Sequence, residues 1–208
     1  PKRLVNEMEI TAQSHAAGAA NSTGQSRLVE ISCKKPENFS SRNSVIDVLV
    51  MYTPQAAKEK GGESGIRALA GSAVGTVNQA FKRSGIQAKM KLVGVEEWNH
   101  QSVSNLGFDL AKLRSDQKVD KLRRGKKADL VAGFVGALKQ GRAAGVGYLL
   151  QSSKGQAGLG YSISMTKWIG APGYTFAHEI GHNLGCIHAK DQSGRGVFPY
   201  SYGWRFSP

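Results

Sequence analysis

Three of the chain's five histidines fall in the stretch His178-Glu179-Ile180-Gly181-His182-Asn183-Leu184-Gly185-Cys186-Ile187-His188, and their spacing is that of a metal site. On a helix, His178 and His182 share one face, about 5–6 Å apart at Cβ, and can hold one ion together. Glu179 lies about 100° round from them, badly placed to join as a ligand but within reach of a water on the same ion, whose proton it can take. Gly185 tolerates positive φ, so it can end the helix and turn the chain until His188 supplies a third ligand. Three neutral imidazoles leave a fourth position for water, the pattern of a catalytic zinc site, whereas a structural site is closed by four protein ligands, usually including cysteine. At this composition the chance recurrence of three His, one Glu and one Gly at these positions has a probability on the order of 10⁻⁵.

The run H-E-x-x-H-x-x-G-x-x-H from His178 to His188 resembles the zinc signature of the metzincins. Phe176-Ala177-His178 before it, and Tyr200-Ser201-Tyr202-Gly203-Trp204-Arg205-Phe206 after it, resemble the reprolysin-like secreted metallopeptidases of bacteria, and the likeness runs from about Val45 to the end. The resemblance implies that His178, His182 and His188 bind Zn2+ and that Glu179 is the general base. It further implies an α/β fold: a metzincin-like mixed twisted sheet with two packing helices and an active-site helix. An edge strand above the cleft would bind substrate by backbone pairing. That strand is assigned to Gly145, Val146, Gly147 and Tyr148 within the segment 145–150, where the glycines permit close backbone approach.

Two departures stand out. Ala189 follows the third histidine where reprolysins carry Asp, and Asp191 comes two residues later. Metzincins also have a methionine-containing turn downstream of the zinc helix, yet Met8, Met51, Met90 and Met165 all precede it. The chain therefore reads as cut, with its C-terminal subdomain truncated at Pro208.

The elements that must carry this site are legible in outline. Val45 to Tyr52 is apolar and β-branched, as for a central strand, and Thr53-Pro54 ends it. Ile66, Leu69, Ala70, Ala73, Val74, Val77 and Phe81 recur at helical spacing, with Gly85 as terminator. A strand over 87–96 follows, then one surface helix over 109–124 ended by Gly125, a buried strand over 128–135, and short β segments over 146–150 and 160–165. Thr175 is placed to N-cap the zinc helix. The order is β-α-β-α-β-β-β-α. Residues 1–43 differ in composition and read as an N-terminal extension or pro-region tail; residues 44–208 form the catalytic domain.

With 208 residues, 40% of them hydrophobic, and six prolines, one ordinary core is expected. Net charge is +13, from 28 Lys and Arg against 15 Asp and Glu, which favours protein or peptide substrates of acidic character. The basic clusters, Lys121 to Lys127 and Lys139 to Arg142, lack interleaved aromatics, so no nucleic-acid partner is expected and they read as solvated surface. No apolar run is long enough to span a membrane. A secreted, monomeric enzyme is expected, because such peptidases are kept apart from cytosolic proteins. His15 and His100 stand alone and read as surface residues.

Cys33 and Cys186 leave three readings open: a disulfide, two unrelated thiols of which Cys186 is a small buried hydrophobe, or a cysteine switch in which Cys33 occupies the open zinc position of a latent proenzyme. The function that fits best is a zinc-dependent endopeptidase. Its rival is a non-catalytic metal-binding or adhesion module that keeps the helix without a working cleft.

Overall fold

The computed structural model describes residues 44–102, 105–138, 143–192 and 194–203. The expected N-terminal extension with Cys33 and His15, the basic cluster at 139–142, and Trp204 and Arg205 lie outside the described residues. In chain order the elements are β1 (Ser44–Tyr52), α1 (Pro54–Glu59), α2 (Glu63–Arg83), β2 (Ala88–Glu97), α3 (Leu106–Ser115), α4 (Gln117–Gly125), β3 (Leu130–Val135), β4 (Gly145–Gly147), β5 (Tyr161–Met165), α5 (Thr175–Asn183), β6 (Ile187–Ala189) and β7 (Tyr202–Gly203).

Five strands form one mixed sheet in the order β2-β1-β3-β5-β4, in which the first four run parallel and β4 pairs antiparallel with β5 at the edge. Alternation along β1 divides the core: Val48, Val50 and Tyr52 face one cluster, while Leu49 and Met51 face the other. The first cluster is covered by α2 through Ile66, Ala70, Ala73, Val74, Val77 and Phe81, and by α5 through Phe176 and Ile180. The second is covered by α3 and α4 through Leu106, Leu110, Leu113 and Val119. A sheet with helices on both faces buries both sides of its central strands, which is why β1 and β3 read as near-continuous apolar runs.

Two expectations about helices are corrected. Thr53-Pro54 does more than stop β1: the Thr53 hydroxyl accepts from the Ala56 N–H at 3.3 Å and Pro54 opens α1, where its missing N–H costs nothing. The helix expected over 109–124 is two helices. Asp116 adopts an extended backbone (φ −75°, ψ 118°), and its Oδ1 accepts from the N–H groups of Lys118 and Val119, ending α3 and capping α4. The pair is also half interior, since Leu106, Leu110, Leu113 and Val119 are all buried.

Two polar residues read as surface prove structural. His100 stacks on Trp98 with ring centroids 4.0 Å apart, and its Nε2 lies 2.7 Å from Oδ1 of the fully buried Asp109. Arg123, from the basic cluster, donates to the carbonyls of Ala128, Ala157 and Asp129 and lies over the Tyr161 ring. No helix among the described residues is long and apolar enough to cross a membrane.

Candidate metal centre

Helix α5 and the turn after it bring the predicted ligands together. Thr175 is its first residue and not its cap: Tyr174 holds that position with φ +47° and makes no side-chain cap bond. At the other end Gly185 has φ +92°. Its N–H donates to the His182 carbonyl, and the Cys186 N–H donates to the Gly181 carbonyl, which together form a Schellman turn. The reversal carries the chain into β6, where His188 points back at the helix.

The three rings converge. Nε2 of His178 lies 3.1 Å from Nε2 of both His182 and His188, and the ring centroids form a near-equilateral triangle with sides of 4.7, 4.8 and 5.1 Å. A tetrahedral ion with metal–nitrogen bonds of about 2.0–2.1 Å has nitrogen–nitrogen edges of roughly 3.3 Å, so the spacing suits one cation held by three imidazoles. The set grades from exposed His178 through half-buried His188 to buried His182. Nδ1 of His182 donates to the Cys186 carbonyl at 2.8 Å, which fixes the ring and leaves Nε2 unprotonated for the ion. Imidazole donors suit zinc, copper, iron or nickel more than magnesium or calcium.

Glu179 is not among the converging donors. Its carboxyl is 1% exposed, Oε1 has no hydrogen-bond partner, and burial pushes its pKa up to about 8. A cation on the neighbouring imidazoles would favour the ionised form and draw that value back down.

The edge strand lies directly over this carboxyl. The β4–β5 ladder uses the backbones of Ala144, Val146 and Tyr148, shown by Met165 N–H to Ala144 and Tyr148 N–H to Tyr161, so the N–H and C=O groups of Gly145 and Gly147 point to the outer edge. A Cβ on Gly145 would meet Oε1 of Glu179 at 2.8 Å and Cγ2 of Thr175 at 2.3 Å; one on Gly147 would meet the Glu179 carbonyl at 2.9 Å. The close approach expected of these glycines is therefore made by α5 itself. Val146 is buried on the opposite face, and Tyr148 is half-buried with Arg114 5.3 Å from its ring centroid.

Cys186 is exposed, which overturns its reading as a small buried hydrophobe. Sequence reasoning passed over Asn183, whose buried amide donates to three carbonyls of the edge hairpin. Its only signal was an amide inside the signature, next to a ligand.

Residues 42–205 match the family model Reprolysin_5, Metallo-peptidase family M12. Among similar proteins, a peptidyl-Asp metalloendopeptidase of Stenotrophomonas maltophilia (strain K279a) is 29% identical over 181 residues, covering 81% of this chain and 40% of that protein. A second of the same name, from Pseudomonas aeruginosa (strain PAO1), is 28% identical over 160 residues, covering 71% of this chain and 26% of that one. The chain thus spans well under half the length of these relatives. A solved structure described as a chaperone-substrate complex shares the fold with a TM-score of 0.61 at 22% identity, over 71% of this chain and 24% of that one.

Proposed function

The chain belongs to metallo-peptidase family M12, whose members work through a catalytic metal, and from that premise we propose that it is a zinc-dependent endopeptidase in which His178, His182 and His188 hold the ion and Glu179 is the general base. The observation that carries this reading is the convergence of three Nε2 atoms beside a buried carboxylate with an unpartnered oxygen.

His178, His182 and His188 would hold a zinc ion, which would supply Lewis acidity toward a carbonyl oxygen and a water of lowered pKa. Glu179 receives that water's proton on a carboxylate oxygen and returns it to the leaving amine, and the water-poor wall of Gly145, Gly147 and Thr175 around it strengthens the exchange. The outward N–H and C=O groups of Gly145 and Gly147 pair with an extended peptide and set it across the centre as one more antiparallel strand.

The substrate reading is a protein or peptide cleaved beside aspartyl residues. It is supported by the name peptidyl-Asp metalloendopeptidase borne by the relatives and by the +13 charge, which attracts acidic chains. A secreted, monomeric enzyme held latent through residues 1–43, with Cys33 as the inhibitory thiolate, completes the proposal. Zinc content and cleavage of casein and of Asp-containing peptides, measured before and after limited removal of residues 1–43, test it. Stoichiometric zinc with chelator-sensitive cleavage is expected. Zinc without cleavage in either sample would leave a metal-binding module instead.

A further inference from the structure

We infer that Asn183 is a positioning residue that holds the edge hairpin at a fixed height over the metal centre, an inference that rests on the peptidase reading above. The side chain leaves the last turn of α5, directly after His182, and is 5% exposed. Its Nδ2 donates to the carbonyls of Tyr148 at 2.8 Å, Tyr161 at 3.0 Å and Leu159 at 3.2 Å. Tyr148 follows β4, Tyr161 opens β5, and Leu159 precedes it in the connection, so both arms of the hairpin converge on one amide group.

The same turn of helix makes a second tie. The Leu150 N–H donates to the His182 carbonyl at 3.0 Å, so consecutive residues of α5 grip Tyr148 and Leu150 on the strand's exit. His182 is one of the three converging imidazoles, and a single helical turn thereby fixes a candidate metal ligand and the strand against each other.

The hairpin needs this grip because its own geometry sets register weakly. β4 is three residues long and, among the described residues, pairs only with β5, and the connection over 148–160 is far longer than the tight loops that dictate hairpin register. Val146 anchors the middle of β4 in the second core cluster, and the contact of Gly145 and Gly147 with Glu179 limits how near the strand comes, which leaves its exit at Tyr148 to be held by the ties from α5. The Oδ1 of Asn183 is buried without a partner. An orphaned amide oxygen is costly, and the protein retains it where the donor end is used.

The test compares the zinc-loaded parent with Asn183→Ala and Asn183→Asp. Bound metal per chain, amide hydrogen exchange, and kcat and KM are measured on a short blocked substrate and on an extended peptide of about eight residues, long enough to pair along the edge. Metal content is expected to hold and exchange over 145–150 to quicken while the α5 amides keep their protection. KM for the extended peptide should rise about tenfold, far more than for the short one, with kcat little changed. Unaltered exchange over 145–150, or an equal loss on both substrates, overturns the positioning role, and Asn183→Ala decides it if Asn183→Asp does not fold. A parent that holds zinc yet cleaves neither substrate sinks the peptidase reading instead, and the exchange comparison still judges Asn183.

Discussion

Oε1 of Glu179 sits 2.8 Å from where a Cβ on Gly145 would be, so the carboxyl and a side chain on the edge strand exclude each other. That relationship gives the glycines of β4 a concrete requirement: α5 packs so tightly under the strand that only hydrogen fits between them.

Gly147→Ala tests the packing directly. Its new Cβ would lie 2.9 Å from the Glu179 carbonyl and 3.2 Å from Oε2, and forcing atoms into a filled interior costs about 1–3 kcal/mol. Denaturant unfolding should show a loss in that range. Metal content should survive, because the atoms nearest the new Cβ all belong to Glu179 and not to an imidazole, while peptide cleavage should fall as the carboxyl is displaced.

Glu179→Gln keeps the shape and removes the base. Turnover should drop by about 10²–10⁴-fold, the usual contribution of a positioned general base, with zinc stoichiometry unchanged. Stability should not fall, since the parent residue is a buried carboxyl whose Oε1 already lacks a partner. A variant that cleaves peptides as fast as the parent would remove Glu179 from the chemistry.

Metal loading should be visible in thermal unfolding. A ligand at one hundred times its dissociation constant adds about 2.7 kcal/mol, which for a domain of this size is a rise of roughly 5–10 °C. His182→Ala should abolish the rise. That ring is the most buried of the three and is held in place by its Nδ1 bond to the Cys186 carbonyl, so its loss takes the most firmly positioned ligand out of the three-histidine set.

Much of the site was legible because helical periodicity ties sequence spacing to a face: His178, His182 and the turn at Gly185 needed no tertiary information. The sheet was legible for a similar reason, since strands covered on both faces become apolar throughout, as in β1 and β3. The break at Asp116 was not, because Leu110, Leu113 and Leu122 continue the apolar spacing across it and only an aspartate turning to cap its own successors interrupts the helix. His100 and Arg123 looked like solvent residues because their partners, Asp109 and the carbonyls of Ala128 and Ala157, are set by the fold and leave no trace in local spacing. Asn183 escaped for the same reason.

Gly185 offers the sharpest separation of helix from turn. Its φ of +92° is open to glycine, and a Cβ there would lie 2.9 Å from Cγ2 of Val197; a side chain in such backbone costs about 1–2 kcal/mol before any clash is counted. His178 and His182 belong to the helix and should keep their geometry in Gly185→Ala. His188 reaches them only through the Schellman turn and should be pulled away. Zinc affinity should therefore fall by at least about tenfold, the equivalent of 1.4 kcal/mol, while helix content stays constant by circular dichroism. Undiminished affinity would mean that the third ligand does not depend on this turn, and the link from Gly185 to His188 would be wrong.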